Sequence, residues 1–384
     1  MRELLFHFTW NCVMTPAAVA LCLLVALSGC VAEPEPRGLS LRDPIVEARR
    51  PLRLAADWEN SGVLVLGGDE LIEHHPRVFT DLAAAIRGQA TLVGLVSDAS
   101  RRREARELLT SAGLPSDSVR FLDVPVNTMW VRDYGPLTVR GSDGATMLID
   151  MEYPSLQRLA GRRADDLAPL RLGKTLKLPV VAAPLRADGG NLLTNGDGLC
   201  VASTALPADN VSRRYARRDV RRVLADCTGC KEVLFVEPLA GEPTRHADMF
   251  ICFLATDLVV VARCDPAQDA VNARRLDAAA SKLSGIRTSR GPMRVHRVPM
   301  PPRIEGRWRT YTNVLFAGDK LLAPTYSRVD PTLQREAMDV YRRLLPGRTV
   351  VGINADTLSL RNGSLRCIGL NLPATALEGR RIEP

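Results

Sequence analysis

The chain has 384 residues, 46% of them hydrophobic, 24% charged and only 5% aromatic, and carries a formal net charge of +8. That apolar content beside an ordinary charged fraction excludes a disordered, collagen-like or polytopic membrane protein, while the length admits either two domains or one large one. From the N-terminus, the first predicted element is not part of a fold. Residues 17–27 are an uninterrupted apolar run, too short to cross a bilayer as a permanent helix but suited to a signal-peptide core. Residues 1–29 are therefore expected to be a signal peptide, residues 30–54, rich in charge and opening with Pro34 and Pro36, a tether, and residues 55–384 the folded domain.

The segment Leu27-Ser28-Gly29-Cys30 resembles the lipobox of bacterial lipoproteins. The resemblance implies acylation of Cys30 and an exported protein held on a membrane by its N-terminus. Arg2 and Glu3 both leave with residues 1–29, so the remainder keeps the whole +8. Such a surface suits anionic membranes or acidic peptides. No Lys/Arg run interleaved with aromatics appears, so nucleic acid is not an expected partner. After Cys12, Cys22 and Cys30, six cysteines remain, far too few for a disulfide scaffold. The Cys227-x-x-Cys230 pair lacks the second pair or His ligands that zinc needs, and reads as a local disulfide or two plain thiols.

Further along, strands are predicted at 62–66, 90–96 and 119–124, and a hairpin over 137–151. A pattern then repeats three times: hairpin, basic amphipathic helix closed by Gly, short apolar strand. It runs as hairpin 190–203, with the strong turn Asn195-Gly196-Asp197-Gly198, helix 213–226 and strand 232–236. It returns as hairpin 248–262, helix 267–283 and strand 293–298, and again as hairpin 312–323, helix 331–345 and strand 349–353. A period near 60 residues means that each unit buries its face against its neighbours, and the folded length holds about five. The expected fold is α/β, with mixed sheets arranged radially in one domain.

Polar residues capable of chemistry recur where each hairpin opens: Trp130 and Asp133, then Asp188, then His246 and Asp248, then Asn313, then Cys367. A radial array would bring them to one cleft. Carboxylates placed for bidentate acceptance suit a guanidinium, a thiolate can attack its central carbon, and a His can protonate the departing amine and later activate water. No metal or organic cofactor is called for.

These residues carry a further resemblance, over about residues 55–373, to the agmatine deiminase and bacterial-type peptidylarginine deiminase family. That family belongs to the guanidine-modifying five-bladed α/β propellers, the penteins. The matching motifs are Ala56-Asp57-Trp58-Glu59-Asn60, Trp130-x-x-Asp133-Tyr134-Gly135-Pro136, Asp188-Gly189-Gly190-Asn191, His246-x-Asp248, Tyr311-x-Asn313 and Asn362-Gly363-Ser364-Leu365-Arg366-Cys367. The resemblance implies Cys367 as nucleophile, His246 as general acid and base, and Asp133 and Asp248 as the guanidinium carboxylates. Asn313 is implied as a further site residue, with Trp130 and Asp188 binding substrate. Arg158, Arg162 and Arg163 lie where the peptidyl branch holds a substrate carboxylate. The expected activity is hydrolytic deimination of peptidyl or free arginine, or of agmatine. The altered text around Cys367 also admits a non-catalytic surface binding protein on the same scaffold. Arg366 stands where the family has His, a cation expected to favour the thiolate.

Overall fold

The computed structural model describes residues 38–154 and 161–379. The expected signal peptide, Cys30 and Arg158 lie outside them.

Among the described residues, five sheets of three or four strands share one plan, in which an antiparallel hairpin is joined on one edge by a parallel strand. The first sheet orders β1 (Arg53–Leu54), β5 (Leu137–Arg140), β6 (Thr146–Glu152) and β7 (Val180–Arg186). The next three are built from the hairpins β8 (Leu192–Thr194) with β9 (Leu199–Ser203), β11 (Ile251–Ala255) with β12 (Leu258–Arg263), and β16 (Leu315–Ala317) with β17 (Lys320–Thr325). Their parallel partners are β10 (Glu232–Val236), β15 (Arg294–Pro299) and β18 (Thr349–Asn354), and a separate two-stranded ladder of β13 (Arg287–Thr288) and β14 (Gly291–Pro292) precedes β15. The fifth sheet joins the two ends of the chain: β19 (Gly369–Leu372) pairs antiparallel with β2 (Val63–Gly67), which lies beside β3 (Thr91–Val96) and β4 (Arg120–Asp123). Sequence reading found β2, β3 and β4 but neither β19 nor its pairing with β2, because the two strands lie about 300 residues apart.

Local chemistry explains the boundaries. In the β8–β9 turn the Asn195 side chain accepts from the backbone N–H groups of Asp197 and Leu199, and Gly196 and Gly198 take left-handed φ values of 73° and 95°, conformations that cost glycine nothing. The second crossover helix is Arg217–Thr228 rather than 213–226. Arg214 sits in the left-handed region at φ 59°, which interrupts any helix, and Asp219 reaches back to the Ala216 N–H at 2.9 Å, fixing the start. The third is Ala270–Ser284 rather than 267–283, with Asp269 accepting from Asn272 at its N-terminus. The fourth, Pro331–Leu344, is capped by Asp330 with Pro at its first position, as that residue's fixed φ favours.

Residues 38–54, expected to be tether, belong to the compact unit beginning at Gly38. Leu39 exchanges backbone hydrogen bonds with Val180 and Ala182 beside β7, Asp43 caps the short helix Pro44–Glu47, and β1 extends the first sheet.

The cysteine reading is also corrected. Cys230 pairs with Cys200, at a sequence separation of 30, and Cys227 is a free buried thiol. Cys227 lies on the helix stripe with Val220, Val223 and Leu224, which faces the core, whereas Cys230 follows the left-handed Gly229 and enters β10 alongside Cys200 on β9. Closing a loop of that size restricts the unfolded chain, so Cys200→Ala/Cys230→Ala is expected to lower urea stability by about 3 kcal/mol. Cys227→Ala is expected to remove only the packing of one sulfur.

Candidate active site

Each hairpin is entered through a short turn, and these turns carry the site residues: Val131–Tyr134 after Trp130, Gly189–Asn191 after Asp188, Ala247–Met249 after His246, and Arg366–Ile368 around Cys367. Neighbouring turns touch in cyclic order. A Cβ on Gly189 would lie 2.2 Å from the Arg132 carbonyl. Asn191 accepts from the Ala247 N–H, Thr312 donates to the Asp248 carbonyl, Asn313 accepts from the Arg366 N–H at 2.7 Å, and Arg132 donates to the Gly369 carbonyl. Residues from 130 to 367 are thereby brought together.

The result is a cleft of about 300 Å³ lined by, among others, Trp130, Asp133, Asp188, His246 and Cys367. His246, 5% exposed, stands between two carboxylates, with Nδ1 3.6 Å from Asp133 and Nε2 3.2 Å from Asp188. Burial works to lower its pKa, but Asp133 first, and then Asp188 and Asp248, overcome this and raise it, so His246 is protonated at neutral pH. Burial and the neighbouring Asp188 and Asp248 push the Asp133 carboxyl up, against His246. Asp133, Asp188 and Asp248 each keep one buried oxygen without a hydrogen-bond partner. Gly190 is required between them, since a Cβ there would sit 2.6 Å from Asp133 and 2.7 Å from His246. Gly363 likewise lets the Trp130 ring approach the backbone closely: a Cβ there would be 2.2 Å from the ring.

Cys367 is buried, and its thiol pKa is raised well above the ordinary value by burial, then by Asp248 and Asp133, with Arg366 opposing. The cation at position 366 therefore does not by itself give a thiolate. Its charge is engaged elsewhere: Arg366 bonds Asp57 through Nε and Asp248 through Nη1, both at 2.8 Å. Asp57 also meets Arg132 at 3.2 Å.

Asn313 meets the Cys367 turn directly. Its Oδ1 accepts from the backbone of Arg366 and Cys367 and lies 3.5 Å from Sγ, so it holds the Cys367 turn in place. Of the arginines, Arg162 lines the cleft, paired with Asp165 at 3.4 Å. Arg163 is exposed at the start of the helix Arg163–Asp166 and does not line it. Sequence reading missed Tyr153 and Arg361, which do, and the part played by Asp57. The Asp57 motif was visible, but nothing local announces that its carboxylate meets arginines 75 and 309 positions away.

Asp188→Asn removes one of the charges that raise the His246 pKa. The alkaline limb of the kcat/KM profile, which reports loss of the His246 proton, is expected to move to lower pH than in wild type. An unmoved limb would separate that limb from His246.

The family model for Porphyromonas-type peptidyl-arginine deiminases matches residues 65–373. An agmatine deiminase of Ectopseudomonas mendocina is 25% identical over 328 residues, covering 77% of this chain and 86% of that protein. An agmatine deiminase of C. jejuni solved with substrate bound superposes with a TM-score of 0.73 at 17% identity, covering 84% of this chain and 96% of that one. One of Enterococcus faecalis gives 0.73 at 19% with the same coverage. The two superpositions show that this chain has the mixed α/β fold of those solved structures. The matched segment contains every turn that builds the cleft, and the chain belongs to the Porphyromonas-type peptidyl-arginine deiminase family.

Proposed function

We propose that this cleft hydrolyses the guanidinium of an arginine-type substrate to a ureido group and ammonia. The observation that carries the reading is a set of three carboxylates, each with one buried oxygen that has no hydrogen-bond partner, around a protonated His246 and beside Cys367. Buried acceptors without donors are costly unless a ligand supplies the donors, and a planar cation with forked N–H groups does so. Held by Asp133 and Asp248, that cation offsets the two charges that, with burial, raise the Cys367 pKa, and the thiol ionises, its proton passing to solvent water. The thiolate attacks the guanidinium carbon. His246 gives its proton to one nitrogen, the C–N bond breaks, and ammonia leaves a thiouronium on Cys367. Neutral His246 then takes a proton from water, hydroxide adds to the same carbon, and the C–S bond breaks to release the ureido product and the thiolate. The cyclic contact of the four turns and the Thr312–Asn313 segment supports a five-bladed propeller with this site near its axis.

Among substrates we favour peptidyl or free arginine over agmatine. Arg162 and Arg361 both line the cleft and are suited to a carboxylate that agmatine lacks. Turnover of agmatine, free arginine and a peptide ending in arginine tests this. The two carboxylate-bearing substrates are expected to give the higher kcat/KM, and Arg162→Gln/Arg361→Gln to lower it for them and not for agmatine. A preference for agmatine overturns the assignment. The Leu27–Cys30 motif supports an exported, acylated form. Labelled palmitate is expected in the wild type and not in Cys30→Ala, and label in both would remove that claim.

A further inference from the structure

The segment 211–226 contains six arginines and two aspartates, a surplus of four positive charges that equals half the net charge of the whole chain. In the helix Arg217–Thr228 the buried stripe is Val220, Val223, Leu224 and Cys227, which leaves Arg217, Arg218, Arg221 and Arg222 exposed on the outer face, with Arg214 exposed just before it. Some of this charge is engaged. Arg213 pairs with Glu152, Arg221 lies over the Phe235 ring, and Arg222 meets Asp219 at 3.6 Å. Arg214, Arg217 and Arg218 have no ion pair among the described residues. Val211, at the head of the segment, is 66% exposed.

The position of this face in the fold is the second observation. Leu39 and Leu41, where the described chain begins, and Tyr215 pack on one apolar cluster with the inner stripe of the same helix. Residues 31–37 can span at most about 25 Å when fully extended, so a chain held at Cys30 would be tethered at this edge. We propose that the outer face of 211–222 is a docking surface for an anionic phospholipid bilayer. Val211 would enter the headgroup region and Arg214, Arg217 and Arg218 would pair with lipid phosphates. Exposed guanidiniums without an ion-pair partner gain from a negative surface within a Debye length of it, and arginine's forked donors match phosphate oxygens. The proposal is independent of the deimination reading.

The test uses the full chain carrying Cys30→Ala, so that no acyl chain contributes, in cosedimentation with vesicles of phosphatidylcholine alone or mixed with phosphatidylglycerol. The apolar run 17–27 acts on both vesicle types, so the quantity read is the ratio of the two affinities. Three arginines near the surface should make that ratio on the order of 100-fold at low salt. Raising the salt should collapse it, and so should Arg214→Gln/Arg217→Gln/Arg218→Gln. A control with the same loss of charge at exposed positions elsewhere, Arg287→Gln/Arg290→Gln/Arg335→Gln, should keep most of it. Unfolding midpoints in urea establish that each variant is folded. Equal affinity for the two vesicle types, a ratio undiminished in the first variant, or equal losses in both variants would each overturn the proposal.

Discussion

Cys367→Ala is expected to lower kcat/KM for every guanidinium substrate by about 10⁴-fold or more, as removal of a nucleophile does in enzymes working through a covalent intermediate. The loss should fall on kcat. The carboxylates that would hold the guanidinium, Asp133 and Asp248, are untouched, and no other free thiol lines the cleft: among the described residues Cys227 and Cys252 are buried away from it and Cys264 lies outside it. With the thiol gone, the raised proton affinity of His246 has no leaving group to serve, since no tetrahedral adduct forms. Substrate should still bind, which equilibrium dialysis can read beside ammonia release. Turnover within tenfold of wild type would mean that water attacks directly, and that Cys367 is only a buried side chain of its turn.

The second large effect is on stability. Arg366→Ala deletes the partner of two acids, Asp248 with its side chain fully buried and Asp57 with 23% exposure. Breaking a buried pair from one side leaves an uncompensated charge and typically costs about 3–5 kcal/mol, so the urea midpoint should fall sharply. The acid limb supplies a signature that simple loss of packing would not. Burial works to raise the Asp57 carboxyl, but Arg132 and Arg366 overcome it and hold it down at about 2. A carboxyl with a depressed folded pKa stabilises the fold above its unfolded value, and that contribution is lost as pH falls through the folded value. Without Arg366 the folded pKa of Asp57 rises, so the window narrows and acid unfolding should begin at higher pH. Arg366→Lys, which keeps the charge but reaches one partner at a time, should recover part of the loss. An acid transition that does not move in Arg366→Ala would disprove the coupling of Asp57 to Arg366.

How far the sequence went depended on how local each signal was. The repeated hairpin, helix and strand were legible from residue 190 onward because the first turn carries Asn195-Gly196 and Asp197-Gly198, the later hairpins keep the same apolar strands and spacing, and each helix is followed by Gly. Helix starts were misplaced where backbone detail decided them, as at Arg214, whose left-handed conformation no propensity announces. The candidate nucleophile, the His and the carboxylates were found because they recur at one place in successive units. Pairings across units were not: Cys200 with Cys230, Arg366 with Asp57 and Asp248, and β19 with β2 are settled only once the chain has closed on itself. Arg361 had no motif of its own, and its place in the cleft depends on the turn at Asn362, where φ is 59°.

The most direct measurement is product analysis by mass spectrometry after incubating the wild-type chain with a peptide ending in arginine, free arginine or agmatine in ¹⁸O-labelled water. The mechanism predicts conversion to a ureido product with one labelled oxygen at the guanidine carbon, matched by one ammonia for each product and absent with Cys367→Ala. A folded wild-type chain that converts none of the three, or a product without the label, would contradict hydrolytic deimination at this site.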